Sequence, residues 1–136
     1  MSAFETCLHL ARADAEVRRR VEAQGLSLSD LAALHHLSST RTGTMRRQDL
    51  ADRLGISPSG VTRLLAPLEK LGYVSRDSDA RDARLSLVVL TPAGARRTRD
   101  ALVEAEERAQ ALLERSFDAE QMAALADLLP RLVPFA

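Results

Sequence analysis

The sequence is poor in several residues on which whole classes of proteins depend. Its 136 residues include one cysteine, one tyrosine and no tryptophan. The lone Cys7 cannot form an intramolecular disulfide, and it cannot by itself supply a cysteine-rich metal site. No run of 18 apolar residues occurs, and the first twenty residues lack the apolar core of a signal peptide. We therefore expect one globular domain in the cytoplasm, with no membrane partner.

Signatures of catalysis are also missing from the sequence. The chain has no nucleophile elbow, P-loop or glycine-rich dinucleotide motif. His35 and His36 are adjacent in a predicted helix and point about 100° apart, which is a poor arrangement for holding one metal ion. We expect partly exposed histidines, no metal, no cofactor and no enzymatic activity. An enzyme would be revealed by turnover that is lost when either histidine is replaced.

The charge of the chain is segregated, although the net charge is zero. Residues 41–100 carry twelve Arg and Lys against seven Asp and Glu, and the remaining residues carry seven against twelve. A basic centre between acidic flanks can present one face to a polyanion such as double-stranded DNA. The alternative is that solvated surfaces vary in charge without consequence.

The spacing of apolar residues predicts a mainly helical chain with six helices. The first helix is amphipathic and ends near Gly25, the second follows the N-cap residue Ser27, and the third stops at Gly55. These three helices are predicted over residues 3–23, 28–38 and 47–54. The polar segment 38–44 predicts a loop.

The fourth helix and the turn before it match a helix-turn-helix pattern. Ser57 is a predicted N-cap, and Pro58 occupies the first helical position, where a missing N–H costs nothing. The turn 55–57 joins two short helices, as in proteins whose second helix enters the DNA major groove, although other helical hairpins share this spacing. Pro67 should bend the helix. The predicted core positions are Val61, Leu64, Leu65 and Leu68.

A β-hairpin is predicted directly after this helix. "YVSR" predicts one strand, "DSDARDA" a polar tip, and "RLSLVVL" a second strand in which Leu85, Leu87 and Val89 alternate with Ser86 and Val88. A hairpin in this position is typical of a wing whose charged tip reaches phosphates and the minor groove. The alternative is a solvent-exposed hairpin whose charges offset one another.

The terminal helices carry more apolar surface than one winged helix can cover. Thr91 and Pro92 predict the start of a helix that runs to about Arg115. Asp118 caps a last helix that breaks or kinks at Pro130. Together with the first helix, these segments indicate a two-fold homodimer.

These features resemble the MarR (multiple antibiotic resistance regulator) family of winged-helix transcription factors. The motif is Asp82-x-Arg84, followed after five intervening residues by Leu90-Thr91 and then by Gly94. The segment 50–76, "LADRLGISPSGVTRLLAPLEKLGYVSR", precedes it. The resemblance covers roughly residues 20–130, including the order and spacing of the helices.

The resemblance implies which residues contact DNA. It assigns Asp82 to supporting the wing and Arg84 to the minor groove, while Ala83 replaces a second arginine that is common in this motif. Arg63 can form bidentate hydrogen bonds with guanine, and Gly60 allows the start of the helix to approach the DNA backbone closely. The complete predicted DNA-binding set is Ser57, Ser59, Gly60, Thr62, Arg63, Arg76, Arg81, Asp82 and Arg84.

The resemblance also implies a role for the whole chain. We expect one MarR-type domain over residues 1–136, with a winged helix at about 28–92 and dimerisation helices at about 1–24 and 93–136. Its function would be that of a homodimeric repressor that binds a pseudo-palindromic operator and responds to a small-molecule effector at an unassigned site. The alternative is a winged-helix module for protein interaction that does not read DNA. Cys7 lies about one helical turn from the position of an oxidant-sensing thiol, which favours a small buried side chain.

Overall fold

The computed structural model describes residues 1–77 and 86–134, which form a mainly helical domain with a small sheet. The result confirms the predicted fold class. A short 3-10 helix, Leu129–Leu132, follows the last α-helix and contains Pro130. The elements are α1 (Ala3–Arg20), α2 (Leu28–Ser38), β1 (Thr44–Arg46), α3 (Arg47–Leu54), α4 (Pro58–Lys70), β2 (Val74–Asp77), β3 (Leu87–Leu90), α5 (Pro92–Glu114) and α6 (Ala119–Leu128).

The helices begin where their capping residues indicate. The side chains of Ser27, Ser57, Thr91 and Asp118 each accept a hydrogen bond from a backbone N–H in the first turn of the helix that follows. These bonds satisfy donors that have no partner within the helix. The predicted starts of α2, α4, α5 and α6 are therefore confirmed.

The end of α1 differs from the prediction. The helix stops at Arg20 instead of residue 23, because Ala23 and Leu26 exchange two backbone hydrogen bonds of 3.1 and 2.9 Å across a tight turn. The two turn residues, Gln24 and Gly25, have φ angles of 53° and 77°, a left-handed backbone that two-residue β-turns require. The turn buries Ala23 and Leu26 in the core.

The sheet has three antiparallel strands in the order β1-β3-β2. The predicted hairpin is confirmed by the register of β2 and β3, which runs from Val74 opposite Leu90 to Asp77 opposite Leu87. The third strand, β1, was not predicted, because its three residues carry too little pattern of their own and are held by pairing with β3. The loop prediction for 38–44 is therefore wrong at Thr44.

The core lies between α2, α3, α4, the inner face of the sheet and the first half of α5. On α4, Val61, Leu65 and Leu68 are buried, and Leu64 packs against the core from a half-buried position. The inner face of β3 carries Val88, with Ser86 just before the strand, whereas Leu87 and Val89 remain partly exposed. The strand therefore buries the face of Val88 and not the face of Leu87 and Val89, which is the opposite of what the alternation of its leucines predicts.

The first helix, α1, and the last, α6, contribute little to this core. Neither α1 nor α6 contains a buried residue, and the side chains of Phe4 and Leu132 are 70% and 68% exposed. Within the described ranges, no helix is both long enough and apolar enough to cross a membrane.

Candidate DNA-binding site

The turn between α3 and α4 has a backbone that its sequence specifies closely. Gly55 ends α3 with a φ of 69°, a left-handed conformation that glycine adopts without strain. The N–H of Ile56 then donates to the Ala51 carbonyl over 3.1 Å. The Ser57 hydroxyl accepts from the Gly60 N–H, also over 3.1 Å. The start of α4 is thus fixed relative to α3.

The outer face of α4 carries most of the residues predicted to contact DNA. Ser57, Ser59 and Arg63 are exposed on the side opposite the buried face of the helix, while Gly60 is half-buried. The hydroxyls of Ser57 and Ser59 lie 3.1 Å apart and share a hydrogen bond. The polar first turn and the exposed guanidinium therefore form one surface on which a nucleic acid backbone and base edges could bind.

Thr62 has a more constrained position than the other residues of this face. It is half-buried, and its hydroxyl lies 3.3 Å from the Pro58 carbonyl and accepts a hydrogen bond of 3.1 Å from Arg47. Sequence reasoning missed Arg47 as a candidate, because 15 residues separate it from Thr62 and only the packing of α3 on α4 brings them together. Arg47 adds a guanidinium beside the outer face of α4.

Of the predicted wing residues, only Arg76 lies within the described residues. Its Nε donates to the Glu69 carboxylate of α4 over 3.0 Å, so the base of the hairpin is tied to α4. Arg81, Asp82 and Arg84 belong to the segment 78–85, which lies outside the described residues.

Gly94 lies in the first turn of α5 and packs closely against the start of the wing. A side chain there would meet the carbonyl group of Tyr73, at the start of the wing. The Thr91 hydroxyl donates to the Gly72 carbonyl over 2.6 Å, and the Thr91 N–H donates to the Tyr73 carbonyl over 3.1 Å. This packing sets the direction in which α5 leaves the wing.

A separate cavity of about 390 Å³ lies between the end of α1, α2 and α5. Its walls are mainly apolar, and three polar side chains, His35, His36 and Glu106, line it as well. Burial, then the neighbouring His35 and Arg53, lowers the pKa of His36. The cavity has the size and the mixed lining that a small organic ligand requires.

The histidines and the cysteine show no further site chemistry. His35 is exposed and His36 is half-buried, and their ring centroids lie 5.6 Å apart. In the part of the chain that the structure describes, no group of three or more His, Cys, Asp and Glu side chains is placed to hold a metal ion. Cys7 is exposed in the single chain, so the expectation of a buried thiol is wrong for the chain alone.

Comparisons with known proteins agree with this geometry. A model of the MarR family matches residues 24–85. An uncharacterized HTH-type transcriptional regulator of Mycobacterium leprae is 34% identical over 108 residues, which cover 79% of this chain and 71% of the relative. NadR, solved in complex with 4-hydroxyphenylacetate, is 27% identical with a TM-score of 0.70, covering 100% of this chain and 96% of its own.

A second solved structure shares the fold at lower identity. It is Sco3205, a MarR family regulator of Streptomyces coelicolor in complex with DNA, with a TM-score of 0.80 and 19% identity. The match covers 97% of this chain and 87% of Sco3205. The helix-turn-helix geometry, the family match and the relative together show that the chain belongs to the MarR family of transcriptional regulators.

Proposed function

We propose that this protein is a sequence-specific, homodimeric repressor that binds a pseudo-palindromic operator in the cytoplasm and is released by a small-molecule effector. The observation that supports DNA reading most directly is the exposed polar face of α4, where Arg63 follows Ser59 by about one helical turn and the Ser57 and Ser59 hydroxyls share a hydrogen bond. Arginine forms bidentate hydrogen bonds with guanine O6 and N7 in the major groove. The repressor role is proposed from the resemblance to the MarR family: a dimer that covers promoter DNA would exclude polymerase from it.

The test of DNA reading begins with duplexes selected from a random pool at stated salt. We expect half-sites whose centres lie about one helical turn, roughly 10 bp, apart. Arg63→Ala should lose about 1–3 kcal/mol of discrimination at one base pair of each half-site. Arg12→Ala, which removes an exposed arginine of α1, is the matched control and should leave discrimination unchanged. Protection of one asymmetric site would contradict the model.

A substitution in the wing should change DNA binding in a different way from a substitution in α4. Arg84→Ala should weaken binding to most sequences, and it should lower the salt slope by about one per subunit if Arg84 neutralises a phosphate. If the side chain enters the minor groove, preference for narrow A·T-rich grooves should be lost instead. Unchanged affinity in both Arg63→Ala and Arg84→Ala would refute both assignments. Absence of duplex affinity at any salt concentration would favour the alternative, a protein-interaction module.

The homodimer is supported by the exposed apolar side chains of the terminal helices. Monomeric proteins rarely leave large contiguous apolar patches exposed, and Phe4 and Leu8 of α1 are 70% and 49% exposed. Sedimentation should show a dimer at micromolar concentration, and a double change of Phe4→Asp and Leu8→Asp should shift it to monomer. Leu71→Asp, which charges a side chain of 62% exposure outside these helices, should remain a dimer.

The effector site is supported by the cavity between α1, α2 and α5. Because NadR was solved with 4-hydroxyphenylacetate, this compound is the first probe to use. Ala32 lines the cavity from a half-buried position, so Ala32→Phe should fill it and abolish ligand-induced release from the operator while DNA binding is retained. Added protein should lower transcription from an operator-bearing promoter in vitro, and the effector should restore it. A rise on adding protein would identify an activator instead.

A further inference from the structure

Four arginine side chains converge on one groove between the end of α1 and the C-terminal half of α5. The groove has a volume of about 470 Å³, within the range of about 300–1,000 Å³ typical of ligand pockets. None of its lining residues belongs to α4 or to the sheet. It is lined by Arg19, Arg20, Arg108, Ala111, Leu112 and Arg115.

One carboxylate pairs with three of these arginines. Glu16 accepts from Arg20 over 2.8 Å and from Arg115 over 3.3 Å, and it also pairs with Arg19. The hydrogen bond from Arg20, together with the pairing to Arg19, lowers the pKa of Glu16, so this carboxylate is ionised at neutral pH. A single negative charge therefore organises three guanidinium groups from two helices.

The arginines of the groove outnumber the carboxylates bound to them. Arg108 pairs with Glu104 over 2.9 Å, which gives four guanidinium groups against two carboxylates. The C-terminal dipoles of α1 and α5 contribute about half a negative charge each, so roughly one positive charge remains unmatched. The described hydrogen bonds use one donor of each guanidinium, whereas a guanidinium carries five N–H donors.

We propose that this groove is a binding site for a compact multivalent oxyanion, of the phosphate-ester or polycarboxylate class. This proposal goes beyond DNA binding and is independent of the effector cavity. It requires the groove to remain open in the proposed homodimer, because α1 and α5 are also the helices assigned to dimerisation. Arginine forks match the oxygen geometry of both anion classes in a bidentate manner. Ala111, with its small side chain, leaves room between Arg108 and Arg115, so a ligand there contacts α1 and α5 at once and holds the two helices together.

The other candidate occupant is an acidic segment of a second copy of this chain. A small anion fits better because the four guanidinium groups line one concave groove, where three of them pair with the single carboxylate of Glu16, instead of forming an extended stripe. The two occupants give opposite results when the groove is altered. An anion site loses ligand affinity and keeps its oligomeric state, whereas an interface changes oligomeric state.

Calorimetric titration of the full chain with pyrophosphate and, separately, with citrate tests the proposal. We expect saturable binding of one anion per chain that weakens as salt is raised, and the preferred probe identifies the phosphate or the carboxylate class. Arg108→Gln and Arg115→Gln should each weaken binding about tenfold, as expected when a charged hydrogen-bond donor is removed. Arg108→Lys, which keeps the charge but not the fork, should bind with intermediate affinity.

The matched control is Arg131→Gln, because Arg131 forms a similar exposed pair with Asp127 outside the groove. It should bind both probes as the unaltered protein does. The proposal is overturned if neither probe binds saturably, if the control loses as much affinity as the groove variants, or if Arg115→Gln changes the oligomeric state while anion binding is retained. These readouts do not require DNA, so they stand whatever the outcome of the operator experiments.

Discussion

Replacing Gly94 with alanine should destabilise the domain by forcing α5 away from the start of the wing. A Cβ atom at this position would lie 2.8 Å from the carbonyl carbon of Tyr73, closer still to its oxygen, and 2.9 Å from Leu90 Cδ1. Because two of these three atoms belong to the backbone, the clash cannot be relieved by rotating a side chain alone.

The expected magnitude follows from two opposing effects. Overpacking of this kind costs about 1–3 kcal/mol and sometimes more, and a clash with backbone belongs at the upper end. Alanine recovers up to about 1 kcal/mol in helix propensity relative to glycine. We therefore expect Gly94→Ala to lower the free energy of unfolding by about 2 kcal/mol. The substitution should also weaken the hydrogen bonds from Thr91 to Gly72 and Tyr73, because they join the same two segments, the start of α5 and the start of the wing.

Urea unfolding at fixed protein concentration measures the effect, with Gly60→Ala as the matched control. A Cβ at Gly60 would lie 3.2 Å from the Ser57 hydroxyl oxygen, with the next two atoms at 3.5 and 3.6 Å, all three of them side-chain atoms. Gly60→Ala should therefore stay within about 0.5 kcal/mol of the unaltered protein or gain stability from helix propensity, while its DNA affinity falls. Equal stability of the two variants would refute the packing argument.

Three further predictions concern other parts of the chain. Burial holds the folded-state pKa of His36 below its unfolded value, so the free energy of unfolding should fall as the pH drops below about 6.5. His36→Gln should flatten this pH dependence in unfolding curves, and an unchanged slope would exclude His36 as its source. Cys7→Ser should keep DNA binding and its regulation; release of the unaltered protein by peroxide, absent in the variant, would establish a redox role. Arg97→Met removes hydrogen bonds to the side chain and carbonyl of Gln24 and should cost about 1–3 kcal/mol of unfolding free energy, an expectation contradicted by a change below about 0.5 kcal/mol.

Local signals in the sequence predicted the starts of helices well. A capping residue and its partner lie within three positions of each other, as Ser27 and Asp30 do in α2, so the signal and the structure occupy the same short segment. The Gly55 terminator and the Ser57 cap are equally local, and both are confirmed. For this reason the helix-turn-helix was predicted almost residue by residue.

The differences arise where distant segments determine the structure. β1 exists because Thr44–Arg46 pairs with β3, some forty residues later in the sequence. The face of β3 that is buried, with Val88 inside, is set by packing and not by its apolar alternation. Thr62 similarly has a hydroxyl engaged by Arg47, a contact that no spacing rule indicates.

The contact between Arg47 and Thr62 connects α4 to the sheet. Because Arg47 begins α3 and its N–H donates to the Ser86 carbonyl beside β3 over 3.0 Å, the same residue contacts the sheet and the recognition helix. Arg76 provides a second tie through its pair with Glu69. The wing and α4 are thus linked on one side by the backbone and side chain of Arg47 and on the other by the pair of Arg76 with Glu69. We therefore expect a shift of α5 transmitted through Gly94 to Tyr73 to move the wing and α4 together and not separately.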